Sequence, residues 1–342
     1  MIKNGLGTAR IRLLQCSLAI LLFFLIMLSL CRGAYDVPAI QTLRIVFSHF
    51  FSLEETWTTT MYRVVMFSRL PRIIAAIAVG LSLSIAGSAY QGIFRNPLVS
   101  PDLLGVSSGA CVGVAISILF HLGYYGNLLL SFLGGLLAVV MTVTIPRFLK
   151  NRSTATLILA GVIVSGFFSS LLGIMKYLAD ADTELAEITY WQLGSLAKIK
   201  IDSLYVMIPV IVVFAIVLLM LRWRINVLSL GDQEARTLGA NLTRERGLVI
   251  ICATILTSAS ICLSGTIGWI GLVVPHLARQ IVGHNNRYSL PTAALVGTVF
   301  LVTIDLIART LTGGEIPLGI LTGIVGTPFF TWILIKKQSR RE

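Results

Sequence analysis

Apolar runs of similar length recur along this chain, separated by short polar stretches that carry most of the charge. About 20 consecutive apolar residues cross the hydrocarbon core of a bilayer as a helix. On that criterion the pattern predicts ten spans, at 13–30, 70–92, 103–120, 128–146, 155–178, 204–222, 246–264, 270–283, 290–309 and 317–335. The eighth run is short and contains Pro275, so a tilted or partly unwound segment is expected there.

Residues 69–110 are the most informative stretch: RLPRIIAAIAVGLSLSIAGSAYQGIFRNPLVSPDLLGVSSGA. A long apolar helix rich in Gly, Ala and Ser breaks at Asn96-Pro97 and Pro101, then restarts as a second small-residue helix. Small residues let membrane helices approach backbone to backbone. Each proline pushes the residue before it out of the helical region, so a structural turn at Asn96, Pro97 and Pro101 is expected between two spans. Asp102 or Ser100 is placed to cap the helix that follows.

Composition sharpens this reading. Of the residues, 56% are hydrophobic and 12% charged, against roughly 25% charged in a soluble domain. The net charge of +12 invites a nucleic-acid partner, but its distribution excludes one. With the N-terminus inside, Lys3, Arg10, Arg12, Lys150, Arg152, Arg340, Arg341 and their like put 18 basic residues on the cytoplasmic side and 9 outside. That is the positive-inside bias. An even span count leaves both termini cytoplasmic, and the acidic residues Asp180, Asp182, Glu184, Glu187 and Asp202 gather in one outer loop. The first run, behind Lys3, Arg10 and Arg12, resembles a signal peptide. Its span length, and Leu30 in place of a small residue before a cleaved bond, make it an uncleaved helix.

Candidate chemistry is sparse. The cysteines lack C-x-x-C spacing, and His49, His121, His276 and His284 lack H-x-x-x-H spacing. No disulfide framework, metal site or cofactor is expected. Neither G-x-x-x-x-G-K-[ST] nor G-x-G-x-x-G occurs. No catalytic constellation is found, and the outer segment 31–69 is too short for an independent enzyme domain. Uphill transport would draw its energy from another subunit.

Attention therefore falls on the inner segment at about 225–243. Gly231 can serve as N-cap of a short helix, with Asp232 and Glu234 where the helix dipole favours negative charge. Gly239 suits the left-handed position that ends a helix, and Ala235 and Leu238 share a face. An interfacial loop helix and a docking element for a soluble partner fit these residues equally well.

RLPRIIAAIAVG, GSAYQGIFRNPLVSPDLLGVSSGA, YWQLGSL, LGDQEARTLGAN, GTIGWIGLVVPHLAR and EIPLGILTGIVGTPFFTWIL together resemble the FecCD-type permeases of ABC importers, which serve iron-siderophores, haem and cobalamin. The resemblance runs from about residue 12 to 337, with the motifs in the family's order. It implies an all-α polytopic membrane protein of one domain, 1–342, with an inverted five-helix repeat that sets the span at 70–92 against that at 246–264. It implies a bacterial inner-membrane location and a homodimer or related heterodimer. Two ATPase subunits would dock on Gly231–Gly239, and a periplasmic binding protein would deliver the cargo. The acidic loop at 180–187 is a departure from the general pattern.

Arg69, Arg72 and Arg309 flank outer span ends against the charge trend. Snorkelling explains such cations. The resemblance implies more, that they pair with carboxylates on the binding protein, a task suited to the planar guanidinium fork. Asp305 is read as the only carboxylate well inside a span, and an i,i+4 pair with Arg309 accounts for it. The expected cargo is an iron chelate, a ferric siderophore first, with haem, cobalamin and molybdate as alternatives. From another class, an ion-driven secondary transporter would need ionisable groups along the midplane.

Overall fold

The computed structural model describes residues 7–33, 35–48, 51, 54–149, 153–311 and 314–338. Lys3, His49, Lys150, Arg152, Arg340 and Arg341 lie outside the described residues. Within them the chain is helical, with no strand. Along the sequence run α1 (Thr8–Cys31), α2 (Ala39–Phe47), α3 (Thr59–Arg63), α4 (Leu70–Phe94), α5 (Val106–Leu119), α6 (Gly123–Phe148), α7 (Thr154–Leu178) and α8 (Glu184–Leu193). There follow α9 (Ile201–Met220), α10 (Arg222–Leu230), α11 (Asp232–Thr237), α12 (Leu242–Ser264), α13 (Ile270–Val282), α14 (Asn286–Thr310) and α15 (Leu318–Gln338). Backbone groups in hydrocarbon have no water to bond, so apolar runs must satisfy them within the helix.

Seven helices are long and apolar enough to cross a membrane, and α5, α13 and α15 are shorter apolar helices. Together these elements account for all ten predicted runs. Four local expectations change. The second run is part of a continuous 36-residue helix, Thr59–Phe94, in which Val64–Arg69 is π-helical. Pro71 has no N–H for the carbonyl four residues earlier, and the wider π register absorbs the defect. The third helix begins at Val106, behind a separate 3₁₀ turn over Pro101–Leu104 and Gly105 at φ +84°. The sixth continues past its break as α10. The eighth, α13, is helical through Pro275. The proline leaves the Gly271 carbonyl without its helical donor. Gln91 of α4 supplies the replacement, with Nε2 3.5 Å from the Gly271 carbonyl and 3.2 Å from that of Leu272.

The helices sort by burial. In α4 and α12, 83% and 78% of the most apolar stretch is buried, against 17% in α1. Glycines make the central contacts possible. A Cβ on Gly80 would lie 2.5 Å from the Gly297 carbonyl, and one on Gly87 or Gly113 would collide with the backbone of Gly271 or Leu130. The packing repeats across the halves: α4 lies on α14 as α12 lies on α6, and α5 lies on α6 as α13 lies on α14. Those pairings match a five-span repeat of opposite direction.

Candidate functional site

The three arginines come together where α1 and α14 end and α4 begins, the face expected to point outward. All are buried: Arg69, Arg72 and Arg309 are 3%, 5% and 8% exposed. Arg69 donates to the carbonyls of Leu30 at 2.7 Å, Cys31 at 3.1 Å and Tyr35. Arg309 donates to the Ser29 carbonyl at 3.1 Å, the Ser29 hydroxyl and the Arg32 carbonyl at 3.4 Å. The last carbonyls of a helix lack partners within it and carry its negative end. Two guanidinium groups thus cap α1, the least buried span.

Arg72 serves the cluster differently. Its Nε is 2.6 Å from Asp305 Oδ1, and its second nitrogen is 2.6 Å from Glu315 Oε1. Asp305 Oδ2 is 3.2 Å from Arg309 Nε, so the i,i+4 pair is present alongside a partner from α4 that sequence spacing did not reveal. Low dielectric strengthens such pairing, and additional bonds offset the desolvation of each charge. In the single chain, then, the guanidinium groups are taken up by carbonyls and carboxylates. Glu315, with 40% of its side chain exposed, is the charged group of this network that reaches solvent.

At the opposite end, α11 is a six-residue helix between Gly231 at φ +143° and Gly239 at φ +79°. Both values favour glycine. The shared face expected of Ala235 and Leu238 is corrected: Ala235 is fully buried, while Leu238, just past the last helical residue Thr237, is 58% exposed. Asp232 anchors the helix: Arg246 of α12 makes two bonds to its carboxylate, at 2.6 and 3.2 Å, and Arg95 lies 3.6 Å away. The Arg246 hydrogen bond holds the Asp232 carboxyl below its ordinary range. At the start of α12, Asn241 accepts from the Arg244 N–H at 3.1 Å and Glu245 bonds back to the Asn241 N–H at 3.3 Å. Glu245 also lies 3.6 Å from Arg224 of α10. An exposed apolar tip thus stands on a base tied to α10, α12 and the end of α4.

The turn after α4 begins with Arg95 in the left-handed region at φ +52°. Asn96 Oδ1 accepts from the Leu98 N–H at 2.9 Å, an Asx turn. The capping expectation is corrected: neither Ser100 nor Asp102 caps the next helix, because Gly105 intervenes. Asp102 instead accepts a hydrogen bond from the Ser107 hydroxyl. Pro101 packs on Gly271, where a Cβ would sit 2.5 Å from the proline Cδ. The Thr142 hydroxyl donates to the Leu104 carbonyl at 2.9 Å, which ties the turn to α6.

Residues 21–336 match the FecCD transport family. The chain belongs to the FecCD transport family. It is 36% identical over 323 residues to the molybdate import system permease protein of Haemophilus influenzae, covering 94% of this chain and 95% of that one. It is 35% identical to the hemin transport system permease protein of Yersinia pestis, covering 95% and 97%. It is 41% identical over 293 residues to a probable iron chelatin transport system permease protein of Helicobacter pylori, covering 85% and 87%. Among solved structures, an inward-facing metal-chelate type ABC transporter superposes with a TM-score of 0.84 at 35% identity, covering 94% of this chain and 99% of that one. This FecCD protein is therefore an ABC importer permease, and that family implies ATPase, substrate-binding and permease partners. Sequence reasoning on this FecCD chain missed the α1 caps, the Gln91 bridge and the setting of Asp102. Only the two arginines around Leu-Pro and the run of serines after Asp102 were signals of them.

Proposed function

We infer that this chain is the membrane-spanning subunit of an importer that carries an iron chelate, a ferric siderophore first, across a bacterial inner membrane with both termini cytoplasmic. Two copies form the translocation unit, two ATPase subunits dock on Gly231–Gly239, and a periplasmic binding protein delivers the cargo. The observation that carries this reading is α11: Leu238 stands exposed on a segment bonded through Asp232 and Arg246 to α12, one of the two most buried spans. Displacement of such a tip moves the core rather than a loop. Asn96, Pro97 and Pro101 are structural in this scheme, fixing where α4 stops.

Arg69, Arg72 and Arg309 take part in docking the binding protein through the ends they fasten, with Glu315 and the loop around it at the surface. The test is ATP-driven uptake in proteoliposomes holding the permease, its ATPase and its binding protein, with radiolabelled ferric siderophore, haem, cobalamin and molybdate as cargoes. ATP-dependent accumulation of the iron chelate supports the reading. Preference for another cargo replaces the substrate. Uptake that persists without ATP and follows an ion gradient replaces the class.

A further inference from the structure

The two shortest internal spans, α5 and α13, have 14 and 13 residues, too few to cross the hydrocarbon alone. Each starts after a break in the α-helix: residues 95–105, with the 3₁₀ turn at Pro101–Leu104, before α5, and 265–269 before α13, the latter with Gly265 at φ +67° and Trp269 at φ +71°. The two starts occupy corresponding places in the two halves and touch where Pro101 meets Gly271. In ion-driven secondary transporters, interrupted helices at matching positions of a repeat hold the ligand site, and the same juxtaposition of helix starts is present here.

A cavity of about 260 Å³ lies between these starts and α7. Asp102, Ser107 and Ser108 form one wall, and Ser169, Gln192 and Thr266 line the remainder. Asp102 belongs to neither ion-pair cluster described above. Ser107 donates to one carboxylate oxygen, and a carboxylate accepts at about four positions. Leu103 and Leu104, beside it, pack against Gly161 of α7 and Thr142 of α6, so this carboxylate is held within the helix bundle. Ionisable groups inside a bundle that face a cavity mark ligand pathways. Among the described residues, no Lys, Arg or His lines the cavity. The neighbouring cation, Lys176, is bonded to Gln192 Oε1 at 2.6 Å.

We propose that this cavity is a cargo-contacting subsite, with Asp102 selecting ligand groups that are cationic or donate hydrogen bonds and disfavouring bare oxyanions. The proposal rests on the importer reading above and narrows its cargo. Hydroxyl and amide groups around a carboxylate offer partners to ammonium, amide and hydroxyl groups of a chelate. An oxyanion meets like charge at Asp102.

The test uses thiol reagents of opposite charge on the full chain in membrane vesicles. Ser108→Cys is made in a Cys111→Ala background, because Cys111 lines the same cavity. Modification at position 108 by trimethylammonium-ethyl or sulfonato-ethyl methanethiosulfonate is timed by peptide mass spectrometry. After correction for intrinsic reactivity, the cationic reagent is expected to react faster by roughly tenfold, the size of one nearby charge at an intermediate dielectric. Adding Asp102→Asn should bring the ratio close to one. Ser169→Cys provides the same readout from α7. Lack of reaction at both positions, or a ratio unmoved by Asp102→Asn, overturns the proposal. Failure of ATP-driven uptake with the charge ratio intact would instead count against the importer reading.

Discussion

Arg72 of α4 and Asp305 of α14 meet at 2.6 Å with 6% and 1% of their side chains exposed, although 233 residues separate them. Removing one member of a buried pair leaves an uncompensated charge and costs about 3–5 kcal/mol, while replacing both by apolar residues of similar volume is often close to neutral. Asp305→Leu and Arg72→Met should each lower the melting temperature of the purified permease sharply. The double variant Arg72→Met/Asp305→Leu should recover much of the loss. Additive losses in this cycle would mean that the pair is not coupled.

Gln91 repairs the helix defect created by Pro275 and accepts a hydrogen bond from Arg279. Gln91→Leu keeps the volume and removes both functions. An orphaned buried group costs about 1–3 kcal/mol. Thermal unfolding should register that loss, with Gln91→Glu less damaging because the acceptor for Arg279 survives. Wild-type stability in Gln91→Leu would show that Pro275 needs no such partner.

Leu238 is exposed, so Leu238→Glu should leave insertion and folding unchanged while reducing ATPase co-purification and uptake. Gly239→Val acts differently. Its left-handed backbone at φ +79° costs a residue with a Cβ about 1–2 kcal/mol. That variant should loosen the end of α11 even without a partner, which hydrogen exchange over residues 225–243 can follow. Full uptake and normal ATPase retention in Leu238→Glu would remove α11 from the coupling scheme.

Arg246 holds the Asp232 carboxyl below its ordinary value of 3.8. A carboxyl depressed on folding contributes stability above its unfolded value and loses it as pH falls through the folded one. The Asp232–Arg246 anchor should therefore be insensitive to pH from neutrality down to the ordinary carboxylate range and weaken only below it. Asp232→Asn should reproduce the acid state at neutral pH, with a loss of about 0.2–1 kcal/mol, as for a partly exposed pair. Hydrogen exchange over α11 in both proteins against pH checks this. A transition near neutrality would assign the anchor to another group.

Docking of a binding protein at the opposite end is expected to depend on salt, because exposed charges are screened within about 10 Å at 0.1 M. Arg69→Glu with Arg72→Glu should weaken binding strongly. Both arginines also hold the chain together, so thermal unfolding must accompany the affinity measurement. Glu315→Gln separates the effects, since it changes an exposed charge without uncapping α1. A flat salt dependence together with unchanged affinity in Glu315→Gln would leave these residues a purely internal role.

The spans were legible in the sequence because hydrocarbon leaves a helix few alternatives, and length with apolarity is enough to recognise one. So was α11, whose start and stop rest on Gly231 and Gly239, each set by its own backbone angle rather than by distant neighbours. Small-residue runs likewise marked α4 as a packing helix, although Gly80 and Gly87 did not name Gly297 and Gly271 as their partners. What the tertiary structure decided is the fate of the charges. Arg69, Arg72 and Arg309 look like surface cations by position, yet α1 and α14 close over them and convert two into helix caps and one into the partner of Asp305. Asp102 looks like a helix cap by spacing, but Gly105 turns the chain before α5 and sets the carboxylate beside a cavity. Charge pairing is settled by distances between segments far apart in the chain, and local propensity contains no record of those distances.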